Sequence, residues 1–332
     1  MPDSRTPAFR VRPFLLFLAG AALLALLVWR QGAGEVFSAL ALAGWGVALL
    51  ALYRAVPLGL DTLGWAVLFP ARDRPRPGVL LWARWMAECL NTLLPVAQIG
   101  GHFLRADLVR RRGAGGTDAG ATVTVDFTVG LGGQILFTLT GLVLLILHYS
   151  PGDPGLGLGV GLGAGAALIC GFYLAQRKGL YSLGVRTFRL HRIGRRSLDL
   201  LAGAERLDAR VSKLYGDRSR VLACGAWRTA AWFARAGETW LFLYFCGLTP
   251  TPGEVLIVES LSAAFRSAGF LVPGAVGIQD GGVMLAGTLV GLGPESGLAL
   301  ALAKRARELM VGVPGLVSLL ASEGMRSVGG WR

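Results

Sequence analysis

Long apolar runs separated by short charged or Gly- and Pro-containing connections organise this chain, and most runs approach the roughly 20 residues needed to cross a hydrocarbon core of about 30 Å. The pattern predicts membrane helices at about 13–29, 36–57 with an apolar continuation to 69, 118–147, 156–175, 221–246 and 297–320. Between them lie two segments, about 79–112 and 254–292, whose apolar character is interrupted. The early interruption reads Leu94-Pro95-Val96-Ala97-Gln98-Ile99-Gly100-Gly101, and the late one Val272-Pro273-Gly274-Ala275-Val276-Gly277-Ile278-Gln279-Asp280-Gly281-Gly282. Each carries a Pro, small apolar residues, a Gln and then Gly-Gly. Unwound backbone at membrane depth is tolerated only where protein buries it or where it lines a cavity, so interruptions at matching places predict a binding site near the midplane. The expected fold is an all-α, polytopic transmembrane helix bundle with two opposed, broken, re-entrant hairpins.

Composition agrees with that pattern: 53% of residues are apolar and 16% charged, with a mean hydropathy of +0.56. The 332 residues have room for six to eight crossings at about twenty residues each. The chain reads as one integral-membrane domain over 1–332, with a first half of about 1–150 and a second of about 151–325. No soluble catalytic domain fits beside them.

The formal charge of +13 follows topology and does not point to nucleic acid, because Lys and Arg collect in the connections. With each hairpin returning to its own side, 25 of the 33 basic residues fall in segments placed in the cytoplasm, twelve of them in the basic loop 177–220. Both termini are then cytoplasmic, and the hairpins enter from opposite faces, as in an inverted-topology repeat. Arg30 falls outside, and the remaining seven (Arg54, Arg228, Arg235, Arg266, Lys304, Arg305 and Arg307) lie within apolar segments.

Arg5, Arg10 and Arg12 precede the run Phe14–Trp29 as in a signal sequence, but no A-x-A site follows, so we read an uncleaved first membrane helix. The run Gly155–Gly165 has glycine at every second position and suits close helix packing. Arg186, Arg189, Arg192 and Arg196 suit a basic amphipathic helix on an anionic leaflet, although a topological retention signal explains them as well. Cys89, Cys170, Cys224 and Cys246 all sit in apolar stretches and read as small buried hydrophobes.

Ionisable groups at membrane depth are functional candidates, and they gather around the two breaks. Arg84, Glu88, Asn91 and Pro95 share one helix face, with an Arg84–Glu88 pair as the plain structural alternative. Gly100 and Gly101 open a new helix whose free N–H groups favour an anion, and Arg105 follows one turn later, where it either binds or snorkels to the cytoplasm. In the second half Glu259 and Arg266 share a face leading to Pro273, and Asp280 begins the next helix, as a ligand group or as a cap. Glu308 has Lys304 and Arg305 within reach on its own helix, which leaves Arg307 in need of a partner among Glu88, Asp126, Glu238 and Glu259. Arg228, Arg235 and Glu238 read as a packing trio. No nucleophile–base pair, metal-ligand cluster or phosphate-cradling loop emerges, and no cofactor is expected.

These motifs resemble the flippase-like integral-membrane domain of lysylphosphatidylglycerol synthases, most closely its stand-alone, hopanoid-associated HpnL-type branch. The resemblance rests on Asn91 through Gly101 with Arg105, on Val125-Asp126, on Pro273 through Gly282, and on Ala299 through Glu308 continuing to Pro314-Gly315. It implies a bacterial inner-membrane protein that translocates or handles lipids, with Arg105, Asp126, Arg305 and Arg307 among its core polar groups. His102 stands where an acidic residue is expected after Gly-Gly, so no proton or counter-ion role carries over there. The soluble aminoacyl-transferase domain is missing, so lysine transfer does not carry over.

The expected function is therefore lipid transport, with a midplane cavity binding a polar or anionic headgroup, from a hopanoid or phospholipid, through Arg105, Arg266, Arg305 and Arg307. The partners are membrane lipids, an anionic leaflet through 177–220, and lipid or hopanoid biosynthetic proteins. Two other classes stay open: a non-transporting scaffold for lipid or hopanoid biosynthesis, and a membrane-embedded lipid-modifying enzyme whose base would be Glu88, Asp126 or Glu259.

Overall fold

The computed structural model describes residues 44–94, 100–149, 195–268 and 278–329. The expected helices at 13–29 and 156–175, the Gly155–Gly165 run, Cys170, Arg186 to Arg192, Pro95, Gln98, Pro273 and both chain ends lie outside these residues.

Among the described residues the secondary structure is helical: α1 (Trp45–Tyr53), α2 (Ala55–Ala66), α3 (Pro77–Leu93), α4 (Gly100–Arg110), α5 (Gly116–Tyr149), α6 (Arg195–Gly216), α7 (Arg218–Phe245), α8 (Pro252–Ala268), α9 (Ile278–Leu289) and α10 (Gly293–Gly329). The division of α1 from α2 at Arg54 has a local cause. Pro57 has no N–H to offer the carbonyl of Tyr53, so the ladder opens there. Asp217 caps α7, its carboxylate accepting the backbone N–H of Arg220 at 3.3 Å. Pro77 occupies the first turn of α3, where a missing donor costs nothing.

Within the segment 177–220, expected as a loop, the described residues 195–220 are mainly helical. Helix α6 docks on the start of α5 with Leu207 against Gly120 and an Arg210–Asp118 ion pair. Cys89 and Cys224 are buried as expected, whereas Cys246 is exposed.

The two interrupted segments are helical hairpins. In the first, the backbone N–H of Gly101 donates to Asn91 Oδ1 at 2.7 Å, closing α4 onto α3; in the second, Gly282 lies against Phe265, closing α9 onto α8. The long helix α5 shows how they are aimed. Arg110, at the open end of the first hairpin, lies against Gly116, and His102 at its tip packs edge-to-face on Phe127, with 4.7 Å between ring centroids. The second hairpin runs the other way: its open end packs near Leu144, Ser260 lies against Gly141, and Ser267 near its tip accepts a hydrogen bond from Gln134 at 2.5 Å. The hairpins thus enter from opposite ends of the bundle, and the contacts of His102 and Ser267 on α5 lie about 10 Å apart, seven residues at 1.5 Å each.

Helix α10 repeats this arrangement from the other half. Trp82 Nε1 donates to Ser318 Oγ at 3.1 Å, Trp85 Nε1 donates to the Val311 carbonyl at 3.2 Å, and Leu93 lies against Gly312. The second hairpin reaches α10 from its start, with Gly297 against Met284 and Asp280 bound to Arg305. The first arm of each hairpin therefore packs on the long helix of the opposite half, and the second arm on that of its own half. Such reciprocal packing is what an axis in the membrane plane relating the two halves would generate.

Polarity is distributed for lipid. Leu52, Phe103, Leu147 and Leu222 are each about 70% exposed on the outer surface, while thirteen of the described Arg, Lys, Asp and Glu residues discussed below sit inside. Among the described residues one helix, over Gly116–His148, is long and apolar enough by itself to cross a membrane. Helices α7 and α10 carry charges on their inward faces, which lowers their mean hydropathy without putting charge against lipid.

Candidate functional site

The described arms of both hairpins line one cavity of about 440 Å³, within the usual range of small-ligand sites. Eight cations line it, namely Arg54, Arg84, Arg105, Arg228, Arg235, Arg266, Lys304 and Arg307, against five carboxylates, Asp61, Glu88, Glu238, Glu259 and Glu308. Asn91, Thr92, His102, Gln134 and Gln279 supply neutral polar groups.

On one side the network is built by α2, α3, α4, α5 and α7. Asp126 on α5 is fully buried and receives Arg105 Nη1 at 2.6 Å and Arg84 Nη2 at 2.8 Å, with Arg228 Nε at 3.7 Å. Asp61 on α2 holds two arginines of α7: Arg228 Nη1 on Oδ1, and Arg235 Nη2 on Oδ2 at 2.6 Å. Arg84 Nη1 also donates to the backbone carbonyl of Asp61 at 2.7 Å. The Arg105 guanidinium lies 4.9 Å from the Trp65 ring centroid, and Trp65 is held by its own bond to Thr122 Oγ1 at 3.2 Å. Arg54 pairs with Glu88.

The opposite side comes from α7, α8, α9 and α10. Glu259 accepts from Thr239 Oγ1 at 2.5 Å and from Lys304. Arg307 Nε donates to Glu238 Oε1 at 2.7 Å. Glu308 bridges Arg266 Nη1 at 2.6 Å and Arg305 Nη1 at 2.9 Å, and Arg305 also grips both oxygens of Asp280 at 3.1 Å. Arg266 joins the halves: its Nη1 donates to Gln279 Oε1 at 3.1 Å, and its Nη2 reaches Thr92 Oγ1 of the first hairpin at 3.4 Å.

Several expectations from sequence change. Arg84 and Glu88 share the cavity face, but each takes a different partner, because Asp126 and Arg54 approach from neighbouring helices. Arg105 does not snorkel; it is 2% exposed. Arg84 and Arg105, both counted above with the cytoplasmic charges, are core groups. The trio Arg228–Arg235–Glu238 is divided, since both arginines turn to Asp61 and Glu238 turns to Arg307. Of the four partners open to Arg307, Glu238 is the one within reach. Asp126, Asp280 and Arg305 sit behind the lining and brace it, so Arg305 is not placed to hold a headgroup directly. Glu88, Asn91, Arg105, Glu259, Arg266, Gln279, Arg307 and Glu308 do line the cavity.

The glycines of the breaks divide their duties. Gly100 starts α4 and Gly281 has open space around it, whereas a Cβ at Gly101 would overlap the Ala87 carbonyl and come within 2.8 Å of Asn91. A Cβ at Gly282 would lie 2.6 Å from Phe265 Cβ. Gly101→Ala and Gly282→Ala are therefore expected to force the arms apart and lower stability by about 1–3 kcal/mol, the usual cost of overpacking, while Gly281→Ala changes little. Thermal unfolding in detergent measures the difference.

Sequence reasoning passed over Asp61 altogether, and it noted the cations Arg54, Arg84, Arg228, Arg235 and Lys304 without assigning them to the binding site. Each carries the signal of a charge inside an apolar run. Proximity to the breaks was too narrow a criterion, because α2 and α7 add Asp61, Arg228, Arg235 and Glu238 to the lining that the hairpins supply.

Comparison with curated proteins and with solved structures returns no match. The family described as "Lysylphosphatidylglycerol synthase TM region" matches residues 14–315. With nearly its whole length so matched, and with helices arranged around a charged internal cavity, this chain belongs to the lysylphosphatidylglycerol synthase TM region family and is a membrane protein of a lipid-associated family.

Proposed function

We propose that this protein moves a polar or anionic lipid across the bacterial cytoplasmic membrane, as a flippase-like transporter whose two hairpins hold the headgroup between their tips. The observation that carries this reading is the cavity itself, lined by the described arms of both hairpins and by more cations than carboxylates. A lipid headgroup is the polar object that a membrane-embedded cavity of this size meets most often, and guanidinium groups recognise phosphate by paired N–H bonds. Entry from opposite ends gives the two tips the geometry for alternating access, with one hairpin closing as the other opens. The carboxylates considered as bases are engaged with cations: Glu88 with Arg54, Asp126 with Arg84 and Arg105, Glu259 with Lys304. Such groups position and neutralise, and the proposal contains no catalytic step.

In proteoliposomes, Arg266→Ala is expected to slow movement of labelled anionic lipid tenfold or more, since a charge-assisted contact is worth roughly 1.5–3 kcal/mol. Arg110→Ala, which removes an exposed i,i+3 pair with Asp107, is expected to transport as wild type. Wild-type rates for both variants would refute a headgroup site at the hairpin tips. The proposed topology places 177–220 and both termini in the cytoplasm, with the basic segment against anionic lipid. Labelling of a cysteine at position 200 from the outer face of intact cells would refute it.

A scaffold for lipid or hopanoid biosynthesis is the second reading, and the mutual pairing of the buried charges favours it. It predicts lowered abundance for Arg266→Ala and no lipid movement by the wild-type protein in proteoliposomes.

A further inference from the structure

The fixed charges of the cavity specify the charge of its ligand, an inference that rests on the anionic-lipid reading above. The lining has three more cations than carboxylates. Adding Asp126, Asp280 and Arg305, each in direct ion contact with a lining residue or its partner, leaves two positive charges uncompensated among the described residues. The sequence between the described arms, 95–99 and 269–277, contains no ionisable residue.

The excess is localised. The four cations and four carboxylates of the α8–α9–α10 side, counting Glu238 from α7, balance. The other side sets five arginines against three carboxylates. On that same side Arg105 Nε and Arg235 Nη1 are buried with no hydrogen-bond partner, as are Arg228 Nε and Asp126 Oδ1, which face each other at 3.7 Å. Buried cations without counter-charge are costly, and donors without acceptors add to that cost, so a ligand that supplies both is favoured strongly over one that supplies either.

We propose that the headgroup bound here is a phosphate monoester, which is a dianion at neutral pH and seats on the Arg105–Arg228–Arg235 side of the cavity. A phosphodiester brings one negative charge and leaves one arginine unneutralised. A zwitterionic headgroup brings none. A terminal phosphate offers three equivalent oxygens to guanidinium donors from α4 and α7. Its second ionisation, near pH 6, also gives the site a ligand-borne pH dependence: the bound charge is nearly two at pH 8 and falls toward one at pH 5.

The test uses the full chain in phosphatidylcholine nanodiscs containing phosphatidic acid or phosphatidylglycerol, with binding read by thermal shift and by titration. Phosphatidic acid is expected to bind at least tenfold more tightly than phosphatidylglycerol at pH 8, with the ratio shrinking to less than threefold at pH 5 while phosphatidylglycerol binding stays level. Arg235→Gln leaves Asp61 paired with Arg228 and is expected to erase most of the preference for phosphatidic acid. Arg54→Gln provides a second removal of charge should the first variant not fold. Equal binding of the two lipids at pH 8 would overturn the dianion inference and leave the anionic-lipid reading standing. No preference of either lipid over phosphatidylcholine would overturn both. Inorganic phosphate binding as tightly as phosphatidic acid would overturn the lipid source and point to a free phosphate.

Discussion

Arg307→Ala is expected to abolish lipid movement and, separately, to destabilise the bundle. Arg307 lines the cavity and holds Glu238, a carboxylate 3% exposed on α7. Truncation leaves that carboxylate buried and unpaired, and breaking a buried pair from one side costs about 3–5 kcal/mol. The two effects separate in the double variant Arg307→Ala/Glu238→Gln. Neutralising the stranded acid is expected to restore most of the lost stability, yet transport is expected to stay absent because the headgroup still lacks its cation. Transport in proteoliposomes and thermal unfolding in detergent give the two readouts. A double variant that is both stable and active would reduce Arg307 to a structural partner and refute its role in holding the headgroup.

Asp61→Asn is expected to give the largest loss of stability among single changes in the cavity. One carboxylate on α2, 4% exposed, holds Arg228 and Arg235 of α7, and its backbone carbonyl holds Arg84 of α3. The amide keeps the shape and one acceptor but removes the charge, which strands two guanidinium groups in a site that already carries excess positive charge. The expected loss is at least about 3–5 kcal/mol, the cost of a single broken buried pair. Coupling supplies the check. In an Arg235→Gln background the same change is expected to cost clearly less, because one of the stranded cations is gone. Equal losses in both backgrounds would mean that Asp61 is not the counter-ion of Arg235.

Local features of the chain are governed by local chemistry, and these were legible. Helix α4 restarts at Gly100, whereas Gly281 and Gly282 lie inside α9, which begins at Ile278; both hairpins, α3–α4 and α8–α9, nevertheless stand at the predicted interruptions, with ends within a few residues of the apolar boundaries. Seven basic residues inside apolar runs were visible as intramembrane charges, and six of them line the cavity while Arg305 braces it. The shared face of Arg84, Glu88 and Asn91 followed from helical period and holds.

Pairing was not legible, because it depends on which helices become neighbours. Arg84 and Glu88 are four residues apart and well placed to pair with each other, yet α5 brings Asp126 to one and the α1–α2 junction brings Arg54 to the other. Asp61 carried no motif. Its role exists only once α7, some 170 residues later in the chain, lies against α2, for its partners are Arg228 and Arg235. The sequence alone determined a polytopic helical membrane protein, its two hairpins and which charges sit at depth, since hydrophobic period and backbone breaks act within a few residues. Only the tertiary structure decided that the described arms of both hairpins share one cavity, and that its arginines outnumber its acids on one side, because charge balance is set by side chains brought together from distant parts of the chain.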